Sequence, residues 1–279
     1  MSWRLGISSG SCADCPILDI LPALRVSGAT GIEIGTPPGH FDPWEPDEVT
    51  ALERAVRESG LQPVSIHAPF GGKLDLADPN PQHRHAAVGA ILTAAAALHQ
   101  IGGRLVVVHP SDLERHHHDA GARLTQAAAS LNLLHDNLAR SGMHLTVESP
   151  LPHLVAGHPD EFAWLLGRLH DDVRVCLDTG HTALGHAWRR FVDVSRGRIG
   201  HVHAHDNHGH RDDHLPPGDG RIDWDEVVRS LSDARFEGWV MLELAKTPGD
   251  LGAYFHGAFE RATRIFSGAR LAPGVDGQT

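Results

Sequence analysis

Arg104-Leu105-Val106-Val107-Val108-His109-Pro110 is the stretch that decides the fold. Its apolar run is aliphatic, β-branched and without a polar face. That is how a strand reads when both sides are covered, as in a parallel sheet flanked by helices. Gly102-Gly103, just before it, is a stop signal for a helix, because glycine takes the left-handed conformation that closes one. Outward from this point, strand-like segments recur near residues 4–8, 31–35, 63–67, 104–109, 144–149, 173–178, 199–205 and 239–244. Helical stretches rich in Ala and Leu lie between them, such as 82–101, 119–141 and 158–170, with Ser141-Gly142 as a second stop. Eight alternating units in 279 residues fit one α/β chain folded as a (β/α)8 TIM barrel, for which ~250 residues is typical. The rival doubly wound sheet would carry a G-x-G-x-x-G turn or a P-loop, and neither is found. The expected organisation is a single barrel over residues 1–270 and a flexible C-terminal tail over 271–279.

Composition narrows the function. With 24 Lys and Arg against 35 Asp and Glu, the formal charge is −11, which disfavours nucleic acid as a partner. No apolar run reaches the roughly 18 residues of a membrane helix, and the N-terminus has no signal-peptide pattern. A cytoplasmic location and a small-molecule substrate are therefore expected, with a homo-oligomer left open. Three cysteines cannot build a disulfide framework. Only Lys73 and Lys246 are available for Schiff-base chemistry.

Six successive strands end on a His, Asp or Glu. These are His67, His109, Glu148, Asp178, His203 and Glu243. Acidic residues and histidines (35 and 23) make up about one residue in five, so an unbroken series of six is far from chance. The C-terminal strand ends of a barrel converge on its active site, and a ring of buried polar groups there calls for a cation. Imidazole mixed with carboxylate suits zinc, manganese or iron better than calcium or magnesium. His181, on the turn leaving strand six, and the Asp212-x-His214 pair extend the set to nine. An extended D-x-H would put both side chains on one side of the backbone. Nine ligands exceed what one ion needs, so one to three divalent ions are expected, with Glu148 the candidate bridge.

These motifs resemble the xylose-isomerase-like TIM-barrel superfamily, whose members include sugar isomerases and epimerases, inosose-processing enzymes and endonuclease IV. The resemblance is carried by Val147-Glu148-Ser149-Pro150, by Leu177-Asp178-Thr179-Gly180-His181, and by the run from His201-Val202-His203 through Asp212-Asp213-His214 to Asp223. It implies that Glu148, Asp178, His203 and Glu243 hold one ion in an epimerase-like enzyme. Glu148 and Glu243 would also exchange protons with the substrate on opposite faces, through a metal-stabilised enediolate. In endonuclease IV the equivalents of all nine residues bind three zinc ions. The epimerase pattern also has an arginine a few residues after the strand-seven histidine; here Gly209 takes that place and Arg211 is nearby.

The leading expectation is a metal-dependent isomerase or epimerase of a sugar, sugar phosphate or cyclitol, with zinc or manganese as the foremost metals. A multinuclear zinc phosphodiesterase of the endonuclease IV type is the alternative, and a non-catalytic metal- or ligand-binding barrel the second. Glu33 and Arg211 are the candidate substrate-binding residues, with pairing to a barrel cation an equal reading for Glu33. Blander roles are expected elsewhere. His116-His117-His118 reads as an exposed loop or helix start, and Cys12 and Cys15 as structural thiols. Trp188, Trp224 and Trp239 read as core.

Overall fold

A computed structural model describes residues 3–116, 118–246 and 249–267. Eight parallel strands close into a barrel in sequence order: β1 (Arg4–Ser8), β2 (Gly31–Ile34), β3 (Gln62–His67), β4 (Leu105–Val108), β5 (His144–Glu148), β6 (Arg174–Asp178), β7 (Ile199–Ala204) and β8 (Trp239–Leu242). The ring is completed where β1 pairs with β8, Leu5 opposite Val240. Among the described residues nine helices cover it: α1 (Ile17–Val26), α2 (Pro46–Ser59), α3 (Pro81–Ile101), α4 (Ala120–Ala139), α5 (Pro159–Leu166), α6 (Thr179–Leu184), α7 (Trp188–Val194), α8 (Trp224–Asp233) and α9 (Leu251–Phe266). The barrel is therefore as expected. The C-terminal tail, Thr247, Pro248 and His117 lie outside the described residues.

Local chemistry sets these boundaries. Asn80 caps α3 by accepting the Gln82 N–H at 2.9 Å, and Pro81 needs no hydrogen-bond partner there. Gly102 ends α3 in the left-handed region, its N–H returning to Leu98 and His99. The β4 run Val106-Val107-Val108 is buried throughout, between β3, which α3 covers, and β5, which α4 covers.

The floor of the barrel is apolar. Val64, Trp239 and Met241 pack together there, each at most 5% exposed. Trp239 fits because its neighbour across the barrel is Gly31: a Cβ on Gly31 would stand 2.5 Å from the indole ring. Trp188 and Trp224 are also buried, so all three tryptophans are core. Above the floor lies a polar layer of Glu33, Ser65, Thr146 and His201, and above that the strand ends.

Candidate functional site

The strand ends meet in three side-chain clusters. In the first, Glu148 Oε2 lies 3.1 Å from His67 Nε2 and 3.3 Å from His109 Nε2. In the second, His203 Nδ1 is 3.2 Å from Glu148 Oε1, 3.3 Å from Glu243 Oε2 and 4.0 Å from Asp178 Oδ2. In the third, Asp212 Oδ2 sits 3.2 Å from His181 Nε2 and 2.9 Å from His214 Nε2. All nine expected ligands are accounted for, and Glu148 belongs to two clusters.

The residues fit divalent cations on two grounds. Glu148, Asp178 and Glu243 each turn an oxygen into a space under 5 Å across, and among the described residues no Lys or Arg lines the cavity above them. Three carboxylates gathered in this way need a positive charge between them. The second ground is the backing of the imidazoles. His67 and His214 turn Nδ1 to the carbonyls of Ala68 (3.3 Å) and Glu243 (3.0 Å). His181 turns Nδ1 to the carbonyl of Ser149 at 3.0 Å. In each ring the Nδ1–H is thereby engaged, and the Nε2 lone pair faces a cluster. His203 is reversed, with Nε2 toward Glu33 and Nδ1 inward. Such outer partners fix the tautomer of a metal-binding histidine.

Electrostatics agree with the geometry. Burial alone would raise the Glu148 carboxyl and lower the His203 imidazole. Their mutual attraction, helped by His109 on one side and by Cys176, Glu33 and Glu243 on the other, reverses both shifts. The carboxyl is held well below the usual carboxylate range and the imidazole well above its ordinary value. His214, opposed by burial but hydrogen-bonded to Asp212 and faced by Glu243, is pushed up to about 9.

The structure corrects three details. Glu33 is fully buried, accepting from Ser65 Oγ at 2.7 Å and paired with His201 and His203. It lies outside the cavity lining, and its pairs with buried imidazoles match the second of its two expected roles rather than the first. The Arg211 side chain is 84% exposed, turned to Asp213 and likewise absent from the cavity wall. The Asp212-x-His214 pair is not extended. His214 has φ +49°, in the left-handed region that non-glycine residues enter at a cost of roughly 1 kcal/mol or more. A β-bridge between Asp206 and Leu215 closes the loop and brings the pair together instead.

Several residues went unread in the sequence. His205 Nε2 donates to Asp178 Oδ2 at 2.9 Å, and its ring lies parallel to that of His214, centroids 3.9 Å apart. The alternation His201-x-His203-x-His205 was the available signal, since a strand of period two turns all three to one face. Asp206 is buried and organises the loop after β7. It accepts from Gly218 N, Ile222 N and Trp224 Nε1 at 2.8–3.1 Å. Trp44 and Phe70 line the mouth of the cavity. Among the blander readings, His116 and His118 lie in a loop, and the two nearby thiols, Cys12 and Cys15, are free.

The cavity over the clusters measures about 750 Å³ and is bounded by the loops after the strands. The family model of the xylose isomerase-like TIM barrel matches residues 21–260. The chain belongs to that family. A putative hydroxypyruvate isomerase of Streptomyces coelicolor is 23% identical over 257 residues, covering 85% of this chain and 88% of that one. An uncharacterized protein of Sinorhizobium fredii is 27% identical over 247 residues, 77% of each chain. Among solved structures, a D-tagatose 3-epimerase-like protein superposes with a TM-score of 0.80 at 21% identity, covering 95% and 98% of the two chains. Within this family fold, no described helix is long and apolar enough to cross a membrane.

Proposed function

We propose that this protein is a divalent-metal-dependent isomerase or epimerase of a small hydroxy-carbonyl compound of the sugar type. The observation that carries the reading is the convergence of Glu148 and Glu243 on His203 Nδ1, at 3.2 and 3.3 Å, at the bottom of the cavity. Two carboxylates from different strands thus lie together at the bottom of the cavity, within reach of a substrate carbon placed above them. Zinc or manganese held by Glu148, Asp178, His203 and Glu243 would supply Lewis acidity to the substrate oxygens. One glutamate takes the proton from the carbon beside the carbonyl. The other returns it from the opposite side, or the same one returns it to the neighbouring carbon. The buried imidazole of His203, held by Glu33, keeps the two carboxylates in register. The names of two relatives, a putative hydroxypyruvate isomerase and a D-tagatose 3-epimerase-like protein, describe chemistry of this type. The test is to incubate metal-loaded protein with a ketose panel in D₂O. Deuterium at the carbon beside the carbonyl is expected, and turnover without exchange removes the reading.

A second reading, a multinuclear phosphodiesterase, is favoured by the completeness of the outer clusters, His67 with His109 and His181 with Asp212 and His214. Release of nitrophenol from bis(p-nitrophenyl) phosphate by the fully loaded protein would support it.

A further inference from the structure

The wall of the cavity is unlike its base. The base is carboxylate and imidazole. The wall above carries Phe41, Trp44, Phe70, Leu74, Leu151 and Leu154, and its charged members other than the ligands are Asp42 and Asp112. No Lys or Arg lines the cavity among the described residues. Trp44 is 50% and Phe70 49% exposed, two of the few large apolar side chains left open to solvent. Phe70 is fixed in place: its ring centroid is 4.2 Å from that of His109 and 5.1 Å from that of His67. Trp44 sits on a turn held by its N–H donating to Asp42 Oδ1 at 2.9 Å.

These features exclude one kind of substrate and select another. A phosphate remote from the reacting carbon would meet Asp42 and Asp112 with no cation to offset them, and burying it unpaired is costly. A lone hexose is far smaller than a cavity of about 750 Å³, a size that falls within the ~300–1,000 Å³ of sites enclosing larger ligands. Aromatic rings at a wet rim suit a partner with an apolar face and a hydroxylated edge, such as the flat C–H face of a second sugar ring. We propose that the substrate is an uncharged glycoside whose reacting sugar carries a ketone, that ring over Glu148 and Glu243 and its second ring or aglycone against Trp44 and Phe70. This rests on the isomerase reading for the identity of the reacting end, but not for the binding.

The test is calorimetric, on metal-loaded protein, with cellobiose, phenyl β-D-glucoside, glucose and glucose 6-phosphate as probes. Both glycosides should bind at least tenfold more tightly than glucose or glucose 6-phosphate. The double variant Trp44→Ala/Phe70→Ala should lose that preference with its metal content unchanged, and Trp44→Phe/Phe70→Tyr should regain most of it. Equal or tighter binding of glucose 6-phosphate overturns the proposal, as does a glycoside preference that survives loss of both rings. So does sedimentation showing that Trp44→Ala/Phe70→Ala splits a dimer while glycoside binding persists. Ring-dependent glycoside binding without deuterium exchange in any keto sugar upholds the proposal and removes the isomerase reading alone.

Discussion

Glu33 Oε1 lies 3.0 Å from His203 Nε2, and both side chains are fully buried. The contact spans the barrel from β2 to β7 and turns the other nitrogen of His203 toward Glu148 and Glu243. Glu33 thus acts on the site from behind. Burial tends to raise its carboxyl, but His203 and His201 outweigh that and hold it well below the usual range. Glu33→Gln should therefore lower divalent-ion affinity by roughly 10–100-fold, as loss of an outer partner commonly does. Competition with a fluorescent chelator measures this; unchanged affinity would show that His203 needs no orienting carboxylate.

Metal uptake should depend on pH through His214. Only the neutral ring can bind an ion, and its pKa is pushed up to about 9. Apparent affinity at the His181–Asp212–His214 cluster should rise with pH by more than tenfold per unit through the neutral range, because the His181 ring is raised as well and must also shed its proton; the share owed to His214 ends near 9. The metal-free protein should behave oppositely. A raised histidine pKa adds stability that is complete below ~6.5 and fades as pH climbs to about 9. Chelator competition and thermal melts across pH 6–10 check both signs.

Glu148→Gln and Glu243→Gln keep the size of each side chain but remove most of its basicity. Each should slow turnover roughly 100-fold or more. Ion affinity should fall less than in His203→Ala, because the amide oxygen still coordinates. Near-normal turnover in the doubly substituted protein would take both residues out of the mechanism.

Gly180→Ala should destabilise the fold by about 1–3 kcal/mol, the usual cost of overpacking. A Cβ there would stand 2.0 Å from His205 Cε1. Adding His205→Ala should cost less than the sum of the two single changes, since each relieves the other. Urea unfolding of the four proteins gives the coupling, and strict additivity would mean the two residues do not press on each other.

Binding to duplex DNA carrying an abasic site should be weak or undetectable at physiological salt. The charge of −11 and a cavity wall without Lys or Arg leave nothing to displace phosphate counterions. Fluorescence anisotropy would reveal submicromolar affinity, and incision beside the lesion would reverse the order of the two readings.

The barrel and the gathering of the nine candidate ligands were legible because both follow from periodicity. Val106-Val107-Val108 could only be a covered strand, and residues such as Glu148 and Asp178 stand where strands stop. Depth was not legible. Nothing in Gly31-Ile32-Glu33-Ile34 tells that Glu33 faces His203 from below rather than a substrate from above. Loop paths were not legible either. Arg211 lay close in sequence to the motif, yet the Asp206–Leu215 bridge turns the loop so that its side chain points to solvent. Trp44 and Phe70 belong to turns, where no repeat announces which way a ring will face.

Trp239, seated against Gly31, seals the lower end of the barrel. Substrate therefore reaches Glu148 from the face of the barrel formed by the loops after the strands, where Trp44 and Phe70 stand. A polymer cannot thread through such a blind well. A product must therefore leave on the same face of the barrel by which its substrate arrived.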